Sequence, residues 1–490
     1  MQKILTGSQV KDLDANHVKI TGESSLKLME SAAESFVTWF LGQGFRKDKK
    51  ILIAVGAGNN GGDGLAVARM LVERQFQVAI LDCYGLVEKF SPDALLNFNL
   101  LPKSVQVLKL DVDVFEQASI LIDAYLGVGI KGELREEAIQ NIQVLNQFHG
   151  EKISMDIPSG LASEGVGDKD NCFMANWTVT FEFPKLALLL PDNSRIVGEL
   201  VNTKIGVSPK AYHQLDTFYF FLEEANIRGM HRIFTRFSYK GDMGKVLLIG
   251  GSPGKMGALI LCAKSALRTG SGLVTCHMED SERFIIQTAV PEAMASWGLI
   301  PNPEFYDAVG IGPGWGTENR LRLFRQFLQD FKKPIVVDAD GLNLLASNPE
   351  LLSLLPKNSV LTPHIGEFTR LVGSAEDHLE RLKMARKFAI ENEIILVLKG
   401  ANTVINLPDG RQIFNSSGTK YMATGGSGDV LTGMITAYLG MGYSPENAAL
   451  CGVYHHGLAG EIASKSKRRA MIAGDIIDAI PETYIQLNIS

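Results

Sequence analysis

Short apolar, β-branched runs alternate with stretches of helical spacing along most of the 490 residues. That alternation predicts an α/β protein with mostly parallel sheets. In the first half, the runs at 51–55, 78–82, 105–109, 119–123, 153–156 and 177–181 read as strands. In the second half, those at 246–250, 273–276, 308–311, 335–338, 359–362, 394–398 and 403–406 do so. Residues 206–240 lack the pattern, which sets a boundary near residue 217 and predicts domains 1–216 and 217–490. The length agrees, since a chain of this size exceeds what one core holds.

Composition narrows the class. With 46% apolar and 21% charged residues the chain reads as an ordinary soluble globular protein. A net charge of −6, without a dense basic stripe, gives no electrostatic case for nucleic acid. The cysteines Cys83, Cys172, Cys262, Cys276 and Cys451 are scattered, without C-x-x-C spacing, and read as buried thiols in a reducing compartment. No run reaches membrane-spanning length, and MQKILTGSQVKDLDANH lacks the apolar stretch of a signal peptide. The expected location is the cytoplasm, with no membrane partner.

The first strand leads into AVGAGNNGGDGLAVAR (54–69), where Gly56, Gly58 and Gly61 have the spacing of a dinucleotide-binding turn. Asp82, at the end of the next run, stands where a ribose ligand would be expected. An Asp inside the glycine turn argues against simple pyrophosphate binding, because it adds negative charge near a phosphate. Three strand ends in this half carry polar groups followed by glycine: Asn59 to Asp63, Asp123 in ILIDAYLGVGIKGE, and Asp156 in ISMDIPSG with Ser159 beyond. Asn60, Asp123 and Ser159 offer only hard oxygen donors, which suit an alkali or alkaline-earth cation. Structural roles compete with this reading. Asp63 could cap a helix beginning near Leu65, and Asp123 or Asp156 could bond turn amides. Three such residues on neighbouring strand ends tip the balance toward a site.

GGSGDVLTG (425–433) is more specific. Gly425, Gly426 and Gly428 allow close backbone approach at a helix start, which makes an anion site. Asp429 stands there as a candidate base for a hydroxyl attacking a phosphate. Other strand ends supply Gly250-Gly251-Ser252, GPGWG (312–316), DAD (338–340), TPHIGE (362–367) and KGANT (399–403). No G-x-x-x-x-G-K-[ST] is present, so this is not a P-loop protein. For His364 a ligand contact and a structural hydrogen bond are equally expected, whereas His455 and His456 sit in a helical run and read as packing.

GGSGDVLTG together with TPHIGE, KGANT, GPGWG and YKGDMGKVLLIGG resembles the ADP-dependent NAD(P)H-hydrate dehydratase family, of ribokinase-like fold. NNGGDG, IDAYLG and DIPSG resemble the NAD(P)H-hydrate epimerase family. In this order, over nearly the whole chain, they resemble the bifunctional NAD(P)H-hydrate repair family. The resemblance implies an N-terminal Rossmann-like doubly wound domain and a C-terminal ribokinase-like α/β domain. It implies that the first half interconverts the R and S hydrates of NADH and NADPH. The second half would dehydrate the S form at the expense of ADP, giving AMP and phosphate.

Carried over by position, Asn60, Asp123 and Ser159 match potassium ligands. Hydrate-binding positions of the first half are Asn59, Asn60, Gly61, Gly62, Asp63, Gly127, Val128, Gly129, Ile130, Lys131, Gly132, Glu133 and Asp156, the last also the candidate acid–base residue. In the second half Ala258, Gly316, His364 and Asp429 match hydrate-binding positions. Lys399, Gly400, Ala401, Asn402, Thr403 and Gly428 match nucleotide-binding positions. Mg²⁺ is expected with the nucleotide, and a homo-oligomer is the expected assembly. Lys185 in FEFPKLA sits at a family-like position without an assigned role. Ala33, in LMESAAESF, replaces a usual family glycine, which would weaken epimerisation or alter the packing there. The alternative reading is a ribokinase-like small-molecule kinase fused to a nucleotide-binding module.

Overall fold

The computed structural model describes residues 1–83, 89–130 and 132–489. Cα packing divides the chain into two units: Lys3–Thr217 with Asp377–Leu379, and Met1–Gln2 with Phe218–Glu376 and Glu380–Ser490.

The first unit is built on seven strands in the order Gln106–Lys109, Gln77–Asp82, Lys50–Val55, Ala118–Ala124, Glu151–Met155, Trp177–Phe181 and Glu199–Thr203. Each neighbouring pair is parallel. Strand alternation explains why these segments read as continuous apolar runs. Ile51, Ile53 and Val55 pack on one side with Phe36 and Phe40 of helix Ser25–Gly42 and with Leu65 and Leu71 of helix Asn59–Glu73. Leu52 and Ala54 pack on the other with Ile142 and Leu145 of helix Glu136–Asn146. Both faces are covered, as parallel sheets require. The order reverses at Lys50–Val55, leaving a crevice at the carboxyl ends where ligands bind in such sheets.

Helix Asn59–Glu73 begins with Gly58 as its cap, well before Leu65, so Asp63 lies inside the first turns and is not a cap. A Cβ on Gly61 would stand 2.0 Å from the Gly56 carbonyl oxygen, so only glycine lets the helix start this close to its strand. Ala33 is fully buried in the core beside Phe36, which makes its methyl a packing group.

The second unit carries an eleven-stranded sheet. From one edge it runs Met294–Trp297, Leu273–Met278, Lys245–Ile249, Ala308–Ile311, Ile335–Val337, Val360–Leu361 and Ile395–Leu398, all parallel. Two antiparallel pairings follow, to Val404–Asn406 and Gln412–Asn415. Tyr219–Leu222 and Gln2–Lys3 complete the order. Residues 206–240 are therefore more regular than their pattern suggests, with helices Pro209–Tyr212 and Glu224–Met230 around that strand. Helix Ser427–Gly440 crosses helix Met256–Thr269 closely, because Gly433 places no side chain where the Cys262 carbonyl and Ser265 hydroxyl stand, both 2.1 Å from its would-be Cβ. This crossing fixes the start of the GGSGD helix over the sheet. Among the described residues no helix is long and apolar enough to cross a membrane.

Candidate active sites

In the first unit, strand ends and the Gly7–Thr21 helix enclose a cavity of about 690 Å³. Of the expected hydrate-binding positions, Asn59, Asn60, Asp63, Gly127, Val128, Gly129, Ile130, Glu133 and Asp156 line it. Gly61 and Gly62 are buried, Gly62 against Met29, and Gly132 turns the loop in the left-handed region with φ 71°. Lys131 lies outside the described residues.

Asp123 is fully buried at the end of its strand. It accepts hydrogen bonds from the Ser159 amide (2.8 Å) and hydroxyl (2.6 Å), the Ser154 hydroxyl (3.2 Å) and the Tyr125 amide (3.2 Å). It thus bonds turn amides, as the structural reading held. Burial raises its pKa to about 6 despite those bonds. The Asn60 side-chain amide donates to the Leu126 carbonyl (3.0 Å), and the Ser159 hydroxyl accepts from the Leu126 amide (2.7 Å). Asn60 and Ser159 therefore meet at Leu126, with Asp123 joined to them through Ser159, and no partner donates to the Asn60 Oδ1 among the described residues.

Asp156 follows its strand with a left-handed φ of 62°. Its carboxylate accepts from Lys185 Nζ, whose side chain is buried and also donates to the Thr180 hydroxyl at 2.9 Å. Asp14, on the Gly7–Thr21 helix, also lines the cavity, and no feature of the motifs pointed to it. Burial and the nearby Asp156 raise it to about 6. Asp63 is pushed well above the carboxylate range by burial, Asp156 and Asp14.

In the second unit the strand ends converge on Asp338, which is 2% exposed. It accepts from Lys399 Nζ (2.9 Å) and from the Thr432 hydroxyl (2.7 Å). A Cβ on Gly428 would meet Lys399 Nζ at 3.2 Å and Asp338 Oδ2 at 3.7 Å. The GGSGD turn, DAD and KGANT are thus in mutual contact. Asp429, in the first turn of its helix, is raised to about 7 by burial and Asp338, with Lys399 pulling the other way. Gly316, with φ 76°, donates its amide to Asp340 at 2.7 Å, and Ala258 packs under the same loop at Gly314. In KGANT the Thr403 hydroxyl and the Gly400 carbonyl bond at 3.1 Å, closing a turn with Ala401 and Asn402 at its tip.

His364 caps helix Ile365–Val372, its ring accepting from the Gly366 and Glu367 amides at 3.0 and 3.3 Å. His364 thus makes structural hydrogen bonds, on a ring still half exposed. His455 packs with His231 and Thr483 as expected. His456 does more than pack, since its Nε2 lies 3.2 Å from the Ser427 hydroxyl of the glycine turn. A separate cavity of about 320 Å³ is lined by His277, Trp315 and Arg320 but not by Asp429 or Lys399.

Both units thus define an α/β enzyme whose sites lie beyond the carboxyl ends of parallel strands. Residues 246–482 match the NAD(P)H-hydrate dehydratase family and residues 25–187 the YjeF-related protein N-terminus. The bifunctional NAD(P)H-hydrate repair enzyme of Moorella thermoacetica is 36% identical, over 95% of this chain and 93% of its own. The chain belongs to the bifunctional NAD(P)H-hydrate repair enzyme family, which joins an isomerase to a lyase. Among solved structures, the ADP/ATP-dependent NAD(P)H-hydrate dehydratase of Bacillus subtilis, co-crystallized with ATP/Mg²⁺, is 29% identical with a TM-score of 0.50. It spans 55% of this chain and 98% of that one. A ribokinase-like superfamily protein of Enterococcus faecalis shares the fold at 24% identity and TM-score 0.50, covering 56% and 98%. The family sets aside the reading as a small-molecule kinase fused to a binding module.

Proposed function

We propose that residues 1–216 epimerise the R and S hydrates of NADH and NADPH, and that residues 217–490 dehydrate the S form using ADP. The observation that carries this is the pair of strand-end sites, each with a carboxyl beside a buried or half-buried lysine: Asp156 with Lys185, and Asp429 near the Asp338–Lys399 pair. In the second site Asp429 takes the proton of the hydrate hydroxyl as its oxygen attacks the terminal phosphorus of ADP and AMP departs. The amides at Gly425–Gly428 hold the transferred phosphoryl group. Loss of phosphate, driven by the ring nitrogen's lone pair, and of a ring proton then gives NAD(P)H. Among the described residues no three His, Cys, Asp or Glu side chains are placed to hold a metal ion. Asp338, Asp340 and Glu367 already accept hydrogen bonds. These residues suit Mg²⁺ arriving on the nucleotide, where phosphate oxygens and water complete its shell.

In the first site the oxygen donors of Asn60, Asp123 and Ser159 suit K⁺, and a bound cation would offset the burial that raises Asp123. Its chemistry would be electrostatic, fixing the Leu126–Gly127 backbone against the substrate. Replacing Asp123 by Ala is expected to lower epimerisation at least tenfold and to abolish its dependence on K⁺. The check is epimer ratio against time in K⁺ and in a large organic cation. Rates indifferent to both the mutation and the cation would remove the K⁺ site.

The five cysteines are free and buried, which supports a cytoplasmic location. Exposed Phe284 and Trp297, bridged by Arg283 beside the edge strand Met294–Trp297, support a homo-oligomer. The function as a whole is tested by following NADH absorbance when the protein meets mixed-epimer hydrate and ADP.

A further inference from the structure

The spacing in VKDLD puts Val10, Leu13 and Asp14 on one face of helix Gly7–Thr21. All three line the cavity that also holds Asp63, Asp156 and Lys185. Unlike Asp156, which is tied to Lys185, the Asp14 carboxyl makes no hydrogen bond or ion pair with any described residue. A carboxyl set in a cavity wall, uncommitted and beside a fixed carboxylate, is placed to move protons rather than to hold structure.

We propose that Asp14 is a second catalytic residue of the epimerase, exchanging a proton with the hydroxyl at the hydrated carbon while Asp156 serves the water on the opposite ring face. This rests on the epimerase reading of the cavity. In one direction Asp14 gives its proton to the hydroxyl oxygen. The carbon–oxygen bond breaks with its electrons going to oxygen, the ring-nitrogen lone pair forms a C=N bond, and water is released. Water then adds from the other face: a new carbon–oxygen bond forms, the C=N electrons return to nitrogen, and Asp156 takes the surplus proton. The reverse direction begins from that state, and exchange through cavity water restores the first. Lys185 is a positioning residue, holding Asp156 toward the cavity.

The surrounding charges agree. Burial and Asp156 raise Asp14 to about 6, while Lys185 and His17 act in the opposite sense, and Asp63 is raised by both Asp156 and Asp14. Because each direction needs one proton shared between Asp14 and Asp156, kcat/KM is bell-shaped in pH. One limb belongs to Asp14, with activity falling as pH rises through about 6.

The test uses the full chain with R-enriched NADH hydrate and no nucleotide, following the epimer ratio by chromatography from pH 5 to 9. Asp14→Asn is expected to lose about a hundredfold or more in kcat, with KM within about threefold and the alkaline limb gone. Asp14→Glu, which keeps the acid, is expected to recover part of the rate and the limb. A cooperative melting transition shows that each variant is folded, and Asp14→Glu carries the test if Asp14→Asn is not. Wild-type kcat and an unchanged pH profile in Asp14→Asn would overturn the proposal, as would a loss confined to KM. If the wild-type protein leaves the epimer ratio unchanged, the epimerase reading itself falls, and this proposal with it.

Discussion

Asp429→Asn is expected to slow ADP-dependent dehydration by about a hundred- to ten-thousand-fold, the usual contribution of a general base. Nucleotide affinity should change little, since Lys399, the KGANT turn and the Gly425–Gly428 amides remain. The pH dependence follows from the same carboxyl. A base must be ionised, and burial with Asp338 holds Asp429 near 7, so wild-type turnover should fall as pH drops through 7. Stability moves the opposite way. Unfolded, this group ionises near 3.8, and folded near 7, so the folded chain binds more protons between those values. Asp429 therefore costs stability as pH rises through that window, and Asp429→Asn should melt at a higher temperature than wild type at pH 8. Steady-state NADH formation and thermal melts at pH 5 and 8 check both statements. An active, unstabilised variant would remove Asp429 from the reaction.

Asp156→Asn is expected to cut epimerisation by a similar factor while leaving the backbone in place. Asp156 has a left-handed φ of 62°, a conformation that Asn tolerates and most residues resist. Asp156→Ala should therefore be the less stable of the two. Both variants leave the Lys185 ammonium buried without its carboxylate, and breaking one partner of a buried pair typically costs about 3–5 kcal/mol. The remaining bonds from Lys185 to Thr180 and Phe181 soften that loss. Pairing Asp156→Asn with Lys185→Met, which removes the orphaned charge, should restore much of the stability and none of the epimerisation. Recovery of epimerisation in the double variant would contradict a proton-transfer role for Asp156.

What could be read from the sequence follows from burial. Strands such as Lys50–Val55 and Lys245–Ile249 pack helices on both faces, so they stood out as unbroken apolar runs. Glu199–Thr203 and Met294–Trp297 lie at sheet edges with half-exposed residues, and their patterns are too mixed to stand out. Gln412–Asn415 was hidden for another reason. Gln412 and Asn406 are fully buried and hydrogen-bonded, Gln412 Nε2 donating to Asn406 Oδ1 at 2.7 Å and Asn406 Nδ2 to the Leu396 carbonyl, so polar residues occupy interior strand positions. The sites were legible where glycine accompanies a polar residue at a strand end, as at Asp123 and Asp156, or at a helix start, as at Asp429. Asp14 carries no such flank. The Asp338–Thr432 bond joins residues far apart in the chain, and only the folded sheet brings DAD beneath the GGSGD helix. His364 was open in the sequence because a histidine that caps a helix and one that meets a ligand look alike there.

The measurement that bears most directly on two sites with divided labour is a single progress curve. Full-length protein is mixed with racemic NADH hydrate and excess ADP, and NADH absorbance is followed to completion. Wild type should convert the whole mixture, without a marked break. Asp156→Asn should show a fast phase of about half the amplitude, the S hydrate, and then only the slow spontaneous epimerisation. Asp429→Asn should show almost no NADH. Complete single-phase conversion by an Asp156→Asn protein that leaves the epimer ratio unchanged without ADP would mean that the second site handles both epimers, and absence of ADP-dependent NADH from wild type would contradict the assigned activity itself.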